Sequence, residues 1–373
     1  MEEEKMANIM DYLDWRGDLS FEVSEFNEVD NLILSELVYV DFTDIVPPTK
    51  EGAVSLKKAS KKFFERHTDE EINAHVSSTK AAPFMMRKMA GTMRFGNIRL
   101  SNYRKDINLD EQSQFCAMTV QLGDGRICVV YSGTDSTIVG WKENFNMSFL
   151  SETPGQLKAV EYLEWIASQT RLPLRLMGHS KGGNLSVYAA IHTTKAIMER
   201  IEIIFSNDGP GFSASMIMQE NYSHMLPKIH TIIPESSIVG LLLEHEEEYE
   251  VVESTGSGAG QHDIMSWSVL GTSLIHLSTV DGKAVLLDKT LKSWIGKMDA
   301  AEREEFVDAL FGVLDEADIR TVDDLARITP AKFRELMKLS SAMDKERQDV
   351  IWDAIRKLFE EGGNSFKQKL FRK

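Results

Sequence analysis

Short apolar runs in the middle of the chain alternate with longer amphipathic segments. Runs that end in turns rich in glycine, proline or asparagine predict strands. The predicted strands are 114–122, 127–131, 174–177, 201–205, 229–233 and 249–253. Apolar residues at helical spacing predict helices over 156–168 and 181–196. This alternation predicts an α/β fold with a mainly parallel central sheet that is covered on both faces.

The two ends of the chain have a helical pattern instead. Near the N-terminus, Asp30 is predicted to cap the helix that contains the apolar positions 32–37. From about residue 287 the pattern is helical throughout and ends in a basic tail. We therefore predict an N-terminal helical and lid-like region over 1–100, an α/β core over 101–286 and a C-terminal helical region over 287–373.

A stripe of large apolar residues in the N-terminal region has two interpretations. Its members are Phe84, Met85, Met86, Met89, Met93 and Phe95. The stripe could form a lid over an apolar pocket, or it could pack into the core. We favour the core, which is the commoner place for such a stripe.

Composition narrows the classes of function. The chain has 373 residues, 42% apolar and 27% charged, with a formal net charge of −16. An acidic chain is repelled by phosphate backbones, so no nucleic-acid partner is expected. The two cysteines, Cys116 and Cys128, lie in apolar runs and indicate buried free thiols in a reducing compartment. No signal peptide or transmembrane segment is recognisable, and we expect a cytoplasmic protein.

The sharpest chemical signal is a G-x-S-x-G pattern formed by Gly178, Ser180 and Gly182. A predicted strand precedes it and a predicted helix follows it, which is the context of a nucleophile elbow. The tight turn exposes the serine hydroxyl at the carboxyl end of the strand. We predict that Ser180 is a nucleophile. The alternative is a glycine-rich turn with a bystander serine.

A nucleophilic serine needs a base and two donors for an oxyanion. His262 follows the last predicted strand across a glycine-rich loop, where the base of such a sheet is expected. The alternative is a loop histidine that only bonds Asp263. The oxyanion donors are predicted to be the backbone N–H of Lys181 and that of Thr134, in the loop after strand 127–131. An ordinary glycine-containing turn is the alternative for that loop.

Several stretches resemble the class 3 (fungal-type) lipase branch of the α/β-hydrolases. They lie within roughly residues 10–270 and resemble more closely a bacterial family of class-3-lipase-like proteins. The stretches are 12–18, 94–97, 132–136, 140–146, 178–184, 207–212 and 237–240. The resemblance implies an α/β-hydrolase fold and a serine esterase or lipase mechanism. It implies no cofactor and no metal.

Two positions depart from the lipase pattern. Ser237 stands where class 3 lipases carry the triad acid, and Ser132 stands where they usually carry arginine. We expect Asp208 to be the acid, because it follows the strand after the nucleophile strand and some lipases of this fold place their acid there. Glu235 is the alternative acid. Asp208 could instead only cap its own turn, which would leave no acid.

These features favour a serine hydrolase that cleaves a small-molecule ester or lipid-like substrate through an acyl-enzyme. The alternative is a catalytically decayed hydrolase-fold protein that acts as a binding or scaffold module, because fold does not determine function. In that case the C-terminal helices would bind a protein partner. The displaced acid is the feature that favours this alternative.

Overall fold

A computed structural model describes residues 6–74, 79–108, 113–134, 142–143, 146–147, 152–237, 239–282, 307 and 311–312. The predicted C-terminal helices lie almost entirely outside the described residues. So do Asp135, Ser136 and Trp141, which belong to stretches that carry the lipase resemblance. The three predicted regions stay predictions.

A nine-stranded sheet is the centre of the fold, and its strands are arranged in chain order. They are β1 (Val54–Ser55), β2 (Arg99–Asn108), β3 (Ser113–Gln121), β4 (Ile127–Tyr131), β5 (Leu174–His179), β6 (Ile201–Asn207), β7 (Ile229–Pro234), β8 (Tyr249–Val252) and β11 (His276–Leu277). Strands β9 (Val269–Leu270) and β10 (Ser273–Leu274) form a separate hairpin between β8 and β11 in the chain. The predicted strands in the middle of the chain are all present.

The prediction of a mainly parallel sheet is right only for the five central strands. Strands β4 to β8 are parallel. Strands β1 to β4 pair antiparallel at one end, and β11 pairs antiparallel with β8 at the other. The β3–β4 connection is a tight turn that can only join antiparallel strands, whereas parallel strands need a longer crossover. The sheet is therefore mixed.

Helices cover both faces of the sheet. They are α1 (Ile9–Arg16), α2 (Glu28–Leu37), α3 (Leu56–Phe64), α4 (Asp69–Ala74), α5 (Ala82–Ala90), α6 (Pro154–Gln169), α7 (Lys181–His192), α8 (Lys195–Met198), α9 (Ala214–Ile217) and α10 (Glu220–Met225). Helices α1 to α5 share a core with one face of the sheet, and α6 and α7 share a core with the other. Successive side chains of a strand point to opposite faces of the sheet and so enter different cores. Met177 packs in the first core, and its neighbour Leu176 packs in the second.

The apolar stripe belongs to the core rather than to a lid. Met85, Met86, Met89 and Phe95 are completely buried. Phe84 packs against the same core, and only Met93 is largely exposed. The two cysteines are buried and free, as predicted. Among the described residues, no helix has both the length and the apolar character that crossing a bilayer requires.

The prediction that Asp30 is the N-cap of a helix is wrong, although Asp30 belongs to the capping box of that helix. Helix α2 begins at Glu28 and its N-cap is Asn27, while Asp30 occupies the third helical position. The Asp30 carboxylate accepts the Asn27 N–H, and it forms a completely buried ion pair with Arg94. Arg94 also donates to three main-chain carbonyls within 19–25. A tertiary partner 64 residues away therefore determines the environment of Asp30.

Candidate active site

Ser180 lies at the turn between β5 and α7, as the G-x-S-x-G pattern predicts. Its φ of 55° and ψ of −129° place it in a region that residues other than glycine rarely adopt. The flanking positions must be glycine because neither has room for a Cβ atom. A Cβ at Gly178 would overlap the backbone of Gly182, and a Cβ at Gly182 would overlap the carbonyl of Tyr131. The serine is held in this strained position by close packing of three chain segments.

Asp208 is the carboxylate that reaches His262. It follows β6, is completely buried and places Oδ2 2.6 Å from His262 Nδ1. Its other oxygen, Oδ1, accepts the Ser237 hydroxyl at 2.5 Å and the Gly240 N–H at 3.0 Å. These hydrogen bonds run to other loops, so Asp208 does more than cap its own turn.

Glu235, the alternative acid, has a different environment. It is half-buried and follows β7. Its N–H donates to the Val252 carbonyl, and its carbonyl accepts the Asp281 N–H. The structure therefore brings Asp208 to the His262 ring, and the described contacts of that ring include no bond to Glu235.

His262 ends a short 3₁₀ segment, Gly258–His262, in the loop that follows β8. Its side chain is 20% exposed. The neighbouring carboxylate of Asp263 accepts the Met265 N–H at 2.9 Å and caps the next 3₁₀ turn. The interpretation of His262 as a loop histidine that only bonds Asp263 is therefore wrong, because its Nδ1 faces Asp208.

The predicted oxyanion donors lie at the same sheet edge as Ser180. Tyr131, the last residue of β4, pairs with Gly178 of β5, so the loop that carries Thr134 begins beside the elbow. Lys181 begins α7, and N–H groups in the first turn of a helix have no intrahelical acceptor. Thr134 is half-buried. The topology thus brings both predicted donor residues to one edge.

The side chain of Lys181 has an environment that the sequence did not indicate. It is completely buried, and its Nζ lies 2.8 Å from Glu143 Oε2. Nζ also donates to the main-chain and side-chain oxygens of Gln114, at 2.5 and 2.6 Å. Glu143 in turn accepts the N–H groups of Gln114 and Gly155. This buried network joins β3, Glu143 and the start of α6 to the elbow.

Possible metal ligands come together elsewhere in the described residues. Glu28, Glu250 and His276 bring ligand atoms within 4.8 Å of one another. His276 Nε2 lies 3.0 Å from Glu28 Oε2, and His230 Nδ1 lies 2.5 Å from Glu250. Each carboxylate already has an imidazole partner, so two hydrogen-bonded pairs account for this group without an ion.

A cavity of about 380 Å³ lies between the segments 39–45, 63–72 and 79–83. Tyr39 lines it, whereas Ser180 and His262 do not. The cavity therefore approaches the candidate site through Tyr39, whose hydroxyl lies 2.9 Å from His179 Nδ1.

Comparison with known proteins places residues 89–312 in the Mbeg1-like family. No curated protein sequence matches the chain. Solved structures with a similar chain include a Rhizomucor miehei lipase in a propeptide complex, at 16% identity and a TM-score of 0.33 over 42% of this chain and 57% of that one. A fungal lipase in an inhibitor complex is 13% identical, with a TM-score of 0.31 over 50% of this chain and 82% of that one. M37 lipase is 12% identical, with a TM-score of 0.32 over 56% of this chain and 67% of that one. The chain thus spans little more than half the length of the first of these lipases. Because the family match covers more than half of the chain, the protein belongs to the Mbeg1-like family.

Proposed function

We propose that this protein is a serine hydrolase of the esterase or lipase-like type, with Ser180, His262 and Asp208 as its catalytic triad. One observation carries the proposal: the 2.6 Å contact between Asp208 Oδ2 and His262 Nδ1, at the sheet edge where the strained turn presents Ser180. A buried carboxylate at Nδ1 fixes the orientation of an imidazole and stabilises the imidazolium that forms during catalysis.

The acylation step follows from this arrangement. The Ser180 oxygen attacks the carbonyl carbon of an ester while its proton passes to Nε2 of His262. The carbonyl oxygen becomes an oxyanion, which accepts the N–H groups of Thr134 and Lys181. When the tetrahedral intermediate collapses, the bond to the leaving oxygen breaks and His262 returns the proton to the departing alcohol. The acyl group is then bonded to Ser180.

Water completes the cycle by the same route. His262 takes a proton from a water molecule, whose oxygen attacks the acyl carbon. The second tetrahedral intermediate releases a carboxylic acid, and the proton on His262 returns to Ser180. The substrate class is a carboxylic ester of a small molecule or lipid-like compound.

The catalytically decayed alternative relied on the serine at position 237. The hydrogen bond from Ser237 to Asp208 counts against decay, because it keeps a carboxylate beside His262.

A fluorophosphonate probe tests the proposal. Wild type is expected to be labelled, and Ser180→Ala is expected to lose both labelling and about a millionfold in turnover of p-nitrophenyl esters. Ser186→Ala is a matched control, because Ser186 is a buried serine in the helix that follows Ser180, and its hydroxyl donates to the main-chain oxygens of Gly183 and Phe205. Esters of increasing chain length then define the preferred acyl group. Equal hydrolysis by wild type and Ser180→Ala would show that the proposal is wrong.

A further inference from the structure

His179 connects the candidate base to the N-terminal layer of helices. It is the last residue of β5 and is 5% exposed. Its Nε2 lies 2.8 Å from the main-chain oxygen of His262, and its Nδ1 lies 2.9 Å from the Tyr39 hydroxyl. The rings of His179 and His262 are in contact, with centroids 4.5 Å apart and planes tilted by 38°. The residue that precedes Ser180 therefore contacts both the main chain and the ring of His262.

These partners determine which nitrogen of His179 carries the hydrogen. A carbonyl oxygen can only accept, so Nε2 must be the donor to His262. Burial, and secondly the charge of His262, hold the pKa of His179 well below its ordinary value, so the ring is neutral. Nδ1 then has no hydrogen and accepts the hydroxyl of Tyr39. The phenol thus favours the tautomer that donates to His262.

Tyr39 reaches His179 because position 133 has no side chain. A Cβ at Gly133 would overlap the Tyr39 hydroxyl and would lie 2.6 Å from the carbonyl oxygen of His179. The same glycine therefore lets the phenol approach the end of β5 and lets the loop of Thr134 pack against it.

The main chain of His262 needs such support. It follows a stretch with glycines at 256, 258 and 260, and glycine allows the backbone more conformations than other residues do. Asp208 holds the ring at Nδ1 only. The main chain is held by consecutive bonds: the Trp267 indole donates to the Gln261 carbonyl at 2.8 Å, and His179 donates to the next carbonyl.

We propose that His179 and Tyr39 are positioning residues, which hold the main chain of His262 so that its ring meets both Asp208 and Ser180. This inference rests on the proposed hydrolase function. Tyr39 holds the His179 ring through Nδ1, and His179 anchors the carbonyl of His262 through Nε2. Neither residue exchanges a proton with the substrate.

Two substitutions at position 179 separate anchoring from packing. His179→Leu fills the buried space with an apolar side chain but removes the donor. It is expected to lower kcat by roughly 10- to 100-fold with little change in KM, since a misplacement of about 1 Å can cost that much. His179→Gln is expected to recover most of the loss, because its amide N–H can donate to the same carbonyl. Tyr39→Phe should reduce kcat less than His179→Leu does, because His179 can still donate to the His262 carbonyl.

The matched control is His192→Leu. His192 is half-buried, its pKa is also lowered by burial, and its Nδ1 lies 3.0 Å from the Tyr188 carbonyl within its own helix. It lacks a described contact with the triad, so its substitution should leave kcat at the wild-type value. A fall in kcat equal to that of His179→Leu would indicate a general packing effect and would overturn the inference.

NMR of the imidazole nitrogens in Ser180→Ala protein tests the inference without any substrate. His179 should be protonated at Nε2 only, and Tyr39→Phe should keep that tautomer but shift the Nδ1 resonance, because Nδ1 loses the hydrogen bond from the hydroxyl. His179→Leu should displace the proton signal of the bond between His262 and Asp208. If His179→Leu does not fold, Tyr39→Phe and His179→Gln carry the test.

The outcomes separate the two proposals. If hydrolysis depends on Ser180 but His179→Leu keeps the wild-type kcat, the positioning inference is wrong and the proposed function stands. If wild type hydrolyses no ester, the proposed function is wrong, and the NMR signals alone then test whether His179 positions His262. A displaced signal in His179→Leu then supports positioning of His262, and an unchanged signal overturns it.

Discussion

Ser237 donates a 2.5 Å hydrogen bond to Oδ1 of Asp208, whose Oδ2 lies 2.6 Å from His262. The serine follows β7, at the position where the lipase resemblance expects an acid, and Asp208 follows the neighbouring strand β6. Because β6 and β7 are adjacent and parallel, their carboxyl ends meet at one edge. A carboxylate from either strand can reach the same place, and the serine at the other strand end then becomes its hydrogen-bond partner.

Asp208→Asn is expected to lower kcat by up to about 10⁴-fold with the fold intact, because the amide cannot stabilise the imidazolium of His262. Ester hydrolysis and thermal unfolding should be measured on the same preparations. Glu235→Gln removes the alternative carboxylate and should change kcat little. A large loss of stability in Asp208→Asn without a specific loss of rate would favour a structural role for Asp208 instead.

Exchanging the two side chains tests whether the strand ends are equivalent. Asp208→Ser alone should lose activity as severely as Asp208→Asn. Adding Ser237→Asp should restore part of the lost kcat, since the carboxylate again lies at the edge beside His262. The single variant Ser237→Asp should be less active than wild type, because two carboxylates in contact repel each other. Steady-state kinetics of the three variants check this, and a double variant no more active than Asp208→Ser would contradict it.

The ion pair of Lys181 and Glu143 is expected to contribute to stability rather than to chemistry. Lys181→Met leaves a buried carboxylate without its cation, which should cost about 3–5 kcal/mol in the free energy of unfolding. The double variant Lys181→Met/Glu143→Gln should lose less than the sum of the two single variants. Urea unfolding measures all three.

Lys105→Met is the control for that cycle. Lys105 pairs with Asp41 at 2.9 Å, but both side chains are partly exposed, so the loss should be below about 1 kcal/mol. A loss for Lys181→Met as small as that of Lys105→Met would show that the buried pair does not hold the elbow.

Glu36 on α2 is expected to make stability depend on pH. It is 2% exposed and its Oε1 has no hydrogen-bond partner among the described residues. Burial, and secondly the charge of Asp263, raise its pKa well above the ordinary 4.5. The folded state therefore keeps a proton that the unfolded state has lost above that pH. Stability should decline as pH rises from about 4.5 toward the folded pKa, at up to about 1.4 kcal/mol per pH unit.

Glu36→Gln should remove this part of the decline, so that the variant is more stable than wild type at neutral pH and similar to it below pH 4. Denaturant unfolding at several pH values measures the difference. Glu65→Gln is the control, because Glu65 is exposed and pairs with Lys61 on the surface. An equal decline in wild type and Glu36→Gln would contradict the expectation.

The sequence by itself determined the features that depend on neighbours along the chain. The turn between β3 and β4 contains Gly123 and Gly125, whose φ angles are 94° and 78°. The Gly-Asp-Gly sequence at 123–125 predicts such a hairpin turn, because glycine readily adopts positive φ. The strand, turn and helix around Ser180 follow equally from local spacing and from small residues. The roles of Ser180 and His262 in catalysis stay predictions, although their types and order in the chain already indicated them.

Only the tertiary structure decided which distant groups meet. The sequence left Asp208 and Glu235 as alternatives, and the adjacency of β6 to the loop of His262 brings Asp208 to the ring. Tyr39 and His179 are 140 residues apart, and the partner of Asp30 is Arg94. Local patterns report how one segment folds, whereas hydrogen bonds and ion pairs between segments depend on how strands are ordered and which helix covers them. That order is set by burial summed over the whole chain, which no single motif records.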